Sequence, residues 1–269
     1  MIGSVITVAV RRHSNPSRCG EGWVAAGPRC CALGQISDSG HCVGAASSCP
    51  TGFHQPAQAQ GCVIDPRRIR IGPVKLSIGP NDWQSEQVIP IVSNVRGFFV
   101  DASEVTHEQW LSCAQSKQCR SIEVRELGQP VTGVTPADAQ SYCASVKGRL
   151  PKLNERMALA AGAESRRFPW GQTGLVCRRA TYGVIVGPCA EHGNQPDIAG
   201  IHADGQSPEG VLDLSGNVAE LVIDAEEKAW VCGGSFRSRT ALELKSWACV
   251  LWTKPSDDIG FRCVYETSE

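Results

Sequence analysis

The chain has 269 residues, 42% of them hydrophobic, enough for one domain of roughly 200 residues and a smaller unit beside it. Its 26 basic and 27 acidic side chains leave a formal charge of −1 with no long run of either sign, which argues against nucleic acid or an anionic membrane as partner. Fourteen cysteines, an even number, point to an oxidising, extracytoplasmic compartment, and the absence of any CxxC pair leaves zinc without its usual spacing.

The opening MIGSVITVAV is apolar for too few residues to span a bilayer and lacks the basic flank and cleavage site of a secretion signal; the expectation is either a signal removed or lying outside this sequence, or a first strand rich in Val and Ile. No other stretch approaches a membrane span. From Arg18 to about Asp65 the chain is rich in Gly, Pro and Ser, and six cysteines (Cys19, Cys30, Cys31, Cys42, Cys49, Cys62) stand where a core would otherwise be needed. Residues 1–65 therefore read as a small disulfide-stapled module whose cysteines pair among themselves, and residues 66–269 as the larger domain.

PRRIRIGPVKLSIGPND (66–82) alternates apolar and polar residues between glycines and prolines, as edge strands and hairpins do. Three helices follow. THEQWLSCAQS (106–116) opens on a Thr N-cap, TPADAQSYCASVK (135–147) has Pro at its first helical position, and NERMALAAGAE (154–164) is rich in strong helix formers. After Arg166 short strands and long loops dominate, which require staples or ions to hold them. Local spacing suggests bridges Cys113–Cys119, at the end of the first helix, and Cys177–Cys189, across a long loop; a further bridge is expected between Cys232 and Cys249, which flank a Gly-Gly-Ser turn. The fold class is α+β with a minority of helix.

GFFVDASEVTHEQW (97–110), PVTGVTPADAQSYCASVKGRLPKLNE (130–155), FPWG (168–171), GVLDLSGNVAELV (210–222), VCGGSF (231–236) and IGFRC (259–263) together resemble the formylglycine-generating, sulfatase-modifying-factor domain, a variant of the C-type-lectin fold, with the motifs in that family's order. The resemblance covers about residues 70–269. It implies a bridge between the helical Cys143 and Cys263 of the last strand. It also favours structural calcium at the GNxxE segment, through the Asn217 and Glu220 side chains and the Ser215 and Val218 carbonyls, a hard-oxygen set suited to that ion. Taken alone, Asn217 and Glu220 read as a turn amide and a surface carboxylate.

The departures from the family's pattern bear on function. Oxidase members carry two cysteines within a few residues of the GGS turn and bind copper(I) with them, whereas this chain reads FRSRTALEL (236–244), with Ser238 and Glu243 near those places. Copper is therefore not expected, and no catalytic residue is assigned. Ala219, Leu221 and Arg156 stand where tryptophans are usual in the family, and the histidine-bearing bundle of the iron-dependent relatives has no counterpart. The expectation is a noncatalytic binding or assembly domain with a protein partner, contacted through Ser235, Arg237, Arg239, Lys245 and Trp247 with Trp252, since Arg and Trp are enriched at binding hot spots. The alternatives are an oxidoreductase with rearranged metal ligands and a structural subunit of a surface filament or envelope complex.

Overall fold

The computed structural model describes residues 19–26, 29–38, 41–57, 59–78, 91–174, 179–183 and 195–267. The MIGSVITVAV segment and the Cys177–Cys189 pair lie outside the described residues.

The N-terminal region is three short antiparallel hairpins: β1 (Trp23–Ala26) with β2 (Arg29–Ala32), β3 (Ile36–Asp38) with β4 (His41–Val43), and β5 (Phe53–His54) with β6 (Val63–Ile64). Bridges Cys19–Cys30, Cys31–Cys42 and Cys49–Cys62 staple them. Neighbouring side chains on a strand point to opposite faces, so Cys30 and Cys31 of β2 tie one strand to two different segments. The apolar interior is not self-contained. Trp23 meets Phe53 edge to face at 5.0 Å, and Ile198 and Ile201 of the large domain complete that cluster. A Cβ on Gly128 would stand 2.7 Å from the Cys62 carbonyl oxygen, which shows how closely the two backbones approach. His54 adds a polar tie, with Nδ1 2.8 Å from Asp65 and Nε2 3.2 Å from Glu108 of the large domain.

The large domain begins with β7 (Arg68–Ile71), which joins β10 (Phe98–Asp101) and the last strand, β15 (Val264–Glu266), in an antiparallel sheet of order β15-β10-β7. β8 (Val74–Ile78) and β9 (Ile91–Val95) form a separate hairpin. The alternation expected over residues 66–82 thus becomes two strands that belong to different sheets. A second sheet, of order β13-β12-β11-β14, is made by β11 (Ala219–Ile223), β12 (Ala229–Cys232), β13 (Cys249–Leu251) and β14 (Ile259–Gly260); only β14 runs parallel to its neighbour.

Three helices pack around these sheets. In α1 (His107–Gln115) and α2 (Pro136–Ser145), Thr106 and Thr135 accept from the amides of Gln109 and Asp138, whose side chains accept from the cap amides in return. Each pair satisfies amides that a helix start leaves without partners. Trp110, Tyr142 and Phe261 stack and cross between α1, α2 and the C-terminal segment, beside the Cys143–Cys263 bridge, while Cys113–Cys119 closes the end of α1. The third helix, α3 (Leu153–Ala161), is buried along residues 155–161 between the β8–β9 hairpin and the sheet containing β11. A helix buried on all sides normally carries no charge. This one carries Arg156.

Candidate functional site

Arg156 is 1% exposed and is met by Glu220 of β11 and Arg262, both 0% exposed. Arg156 Nε donates to Glu220 Oε2 at 2.9 Å; Arg262 donates through Nε to Oε2 at 2.9 Å and through Nη2 to Oε1 at 2.8 Å. The Leu214 carbonyl oxygen accepts from Arg156 Nη2 and those of Asp101 and Leu212 from Arg262 Nη1 and Nη2, which leaves the buried Arg156 Nη1 without a hydrogen-bond partner. Burial opposes ionisation of Glu220, but the two guanidinium groups outweigh it and hold the carboxyl below its ordinary range. Beside this cluster, burial and then the carboxylate of Asp213 push Glu104 well above the usual carboxylate range. Asp213, raised chiefly by burial, accepts from the Gly200 amide at 2.6 Å.

These contacts bear on the Asn217 and Glu220 side chains of the calcium expectation at the GNVAE segment. Both Glu220 oxygens face guanidinium groups, which exclude a cation from the same place. Asn217, in the left-handed region at φ 56°, uses Oδ1 to accept from the Asp197 amide at 2.9 Å, and the Ser215 hydroxyl donates to the Leu244 carbonyl. Val218 is buried. Among the described residues no group of three or more His, Cys, Asp or Glu side chains is placed to hold a metal ion. In this arrangement Glu220 is a core counter-ion, and its carboxylate is held by the two guanidinium groups.

The Gly-Gly-Ser turn lies directly above Arg156. Gly233 and Gly234 both have left-handed φ, 90° and 66°, and a Cβ on Gly233 would come within 2.6 Å of Arg156 Nη2 and 2.7 Å of the Leu214 oxygen. Only glycine fits there, so the turn and the buried charges are fixed together. After the turn the polar groups satisfy one another. Ser235 Oγ donates to Asp258 Oδ2 at 2.8 Å and accepts from the Arg237 amide, and Ser238 Oγ accepts from the Ser235 amide at 3.0 Å. Glu243 Oε1 accepts from the amides of Arg239 and Thr240 and from the Thr240 hydroxyl. Arg237 pairs with Asp257 at 2.7 Å.

These residues form one wall of a cleft of about 520 Å³. Its other wall is β13 with Trp252 and Thr253, and Ala219, Val231 and Ile259 also line it. Cys232 and Cys249, opposite each other on β12 and β13, are joined in a disulfide with 4.1 Å between their Cα atoms. Copper(I) wants paired soft thiolates. Here the two sulfurs are bonded to each other, Ser238 and Glu243 are committed to backbone amides, and the donor set does not fit that ion.

The sequence-derived contact residues separate on inspection. Arg237 is exposed at the cleft and Arg239 is exposed outside its lining, whereas Ser235 and Lys245 are buried, with the Lys245 ammonium over the Trp247 ring at 5.7 Å. Trp247 packs beside the α3 core and Trp252 beside the α1–α2 core, both partly exposed. The exposed apolar residues Leu242, Val250 and Leu251 were not anticipated, and Arg262 was not singled out by any local pattern.

The family model of the sulfatase-modifying factor enzyme 1-like domain matches residues 67–267. The chain belongs to this family. Among solved structures, it is similar to Treponema denticola variable protein 1 (TM-score 0.60, 16% identity, 75% of this chain and 95% of that one) and to PvdO from Pseudomonas aeruginosa (0.61, 16%, 82% and 100%). CarF is similar as well, with TM-score 0.55, 16% identity, and coverage of 76% and 99%. At these identities the likeness is one of fold. No curated protein matches the chain in sequence.

Proposed function

We propose that this sulfatase-modifying-factor-like domain is a noncatalytic recognition domain that holds a segment of a protein partner in the cleft between β13 and the Gly-Gly-Ser turn, outside the cytoplasm. The single observation carrying this reading is the state of the turn: its hydroxyls and carboxylates are consumed by internal hydrogen bonds and its two cysteines by a disulfide, while the cleft beside it remains open. A site for covalent chemistry keeps a nucleophile next to a base. Ser235 does stand beside the Asp258 carboxylate, but its hydroxyl is buried and its oxygen accepts from the Arg237 amide, while His202 is engaged with Thr181 and Asp197 in a separate buried network.

Six disulfides among the described residues support an oxidising compartment. No helix among those residues is long and apolar enough to cross a membrane. Loops carried on so cross-linked a frame can present a contact surface without local unfolding. Site-specific photo-crosslinking in the native source tests the reading. A benzoylphenylalanine at Leu242 or Val250, both exposed in the cleft lining, should yield a discrete protein adduct, and one at the exposed Val92 should not. Equal labelling from all three positions would contradict it.

A further inference from the structure

β13 is an end strand of its sheet, and the hydrogen-bond parity shows which of its groups face outward. The Gly233 amide donates to the Ala248 carbonyl and the Trp252 amide to the Ala229 carbonyl, both at 3.0 Å, with Val231 opposite Val250. Hydrogen-bonded and non-hydrogen-bonded pairs alternate along an antiparallel ladder. Residues 248, 250 and 252 therefore turn their main-chain groups toward β12, and Cys249 and Leu251 turn theirs away from the sheet. Among the described residues nothing bonds to these four outward groups.

Exposed strand edges are ordinarily guarded by charge, proline or a bulge. Residues 246–253 (SWACVLWT) contain neither charge nor proline, and Val250 and Leu251 are 64% and 54% exposed. The Cys232–Cys249 bridge sits at a non-hydrogen-bonded pair and locks this edge to its neighbour, so little ordering is left for a partner to impose. The cleft opens alongside. Its lining carries Glu243 and Asp258 against Arg237, whose guanidinium is already held by Asp257, and this balance selects a basic occupant over an acidic one. A second copy of the chain would bring the same acidic lining and the same concave wall, with nothing to fill the cleft.

We infer that an extended segment of a partner protein, apolar at alternate positions and basic in charge, adds to β13 as a fifth strand of this sheet. It exchanges main-chain hydrogen bonds with Cys249 and Leu251 and sets alternate side chains into the cleft, the general mode in which sheet edges recognise peptides. The inference rests on the cleft-binding reading and specifies its geometry.

Random dodecapeptides displayed on phage and panned against the intact, oxidised protein supply the probe, and the selected peptides are resynthesised with alternate amides N-methylated in each of the two registers. One register should weaken binding about thirtyfold, the cost of two main-chain hydrogen bonds, and the other should have little effect. Leu251→Pro removes an outward amide without touching a ladder bond, and Leu251→Lys adds a guarding charge. Both should weaken binding while melting as wild type does, and Val92→Lys should change nothing. Peptides displaced by Leu242→Lys and Thr253→Lys, both in the cleft lining, but indifferent to N-methylation in both registers would overturn strand addition and leave the cleft reading standing. Peptides indifferent to every cleft variant, or no selected peptide at all, would overturn both. A micromolar dimer abolished by Leu251→Lys would make a second copy the occupant and overturn the proposal.

Discussion

The N-terminal hairpins and the large domain hold irregular chain in place by opposite means. The hairpins use covalent staples at short separations, 11, 11 and 13 residues, and lean on Ile198 and Ile201 for apolar contact. The large domain has extensive cores of its own and, between them, a buried Arg–Glu–Arg cluster whose members are 64 and 42 residues apart. Staples limit the unfolded chain wherever they are placed. A buried ion pair demands one native geometry, since any displacement leaves charge desolvated without a partner. The second device therefore suits the place where a turn must be held accurately, and Gly233 packs directly against Arg156 there.

The largest predicted effect breaks the charged half of this comparison. Glu220→Gln leaves two guanidinium groups facing one neutral amide and should cost about 3–5 kcal/mol in chemical denaturation. The loss should appear as well in the amide protection of the Gly-Gly-Ser turn. A cost under about 1 kcal/mol would show that the cluster does not organise the site.

The stapled half is tested by Cys31→Ser with Cys42→Ser. Losing this bridge should destabilise the hairpins by about 3 kcal/mol. Hydrogen exchange should accelerate in residues 29–43 while α1, α2 and the β11–β12 pair keep their protection. Uniform loss across the chain would mean that the two regions unfold as one unit.

The smallest effect at neutral pH concerns Glu104. Its carboxyl is raised in the folded state, so the native protein keeps a proton that the unfolded chain releases near the ordinary carboxylate value. Its contribution is complete below that value and is lost as pH rises toward the folded one. Glu104→Gln cannot lose that proton. Its stability relative to wild type should improve as pH is raised, and parallel pH profiles would refute the assignment.

The helices were legible because caps are local: Thr106 with Gln109, and Thr135 with Pro136 and Asp138, lie within a few residues of one another. The fold was legible through the order of its motifs. The pairings Cys113–Cys119 and Cys232–Cys249 could be suggested from their neighbourhoods, whereas Cys143–Cys263 needed the family resemblance. The role of Glu220 was not legible. GNVAE looks like an oxygen-ligand segment, and what makes Glu220 a counter-ion is the arrival of Arg156 from α3 and Arg262 from the C-terminal segment, which no local spacing records. Nor does the sequence reveal that β13 ends its sheet with two residues facing outward. That depends on which strands pair.

The central proposal is that the cleft beside the Gly-Gly-Ser turn is noncatalytic and carries no copper chemistry, and copper(I) titration of the native, oxidised protein tests it most directly. Competition against a high-affinity copper(I) chelator should show no stoichiometric uptake, and a cysteine-containing peptide incubated with the copper-treated protein and oxygen should come back without aldehyde. Stoichiometric uptake with oxygen-dependent conversion of the peptide cysteine, abolished by Cys232→Ser or Cys249→Ser, would contradict the account and make that pair the active centre.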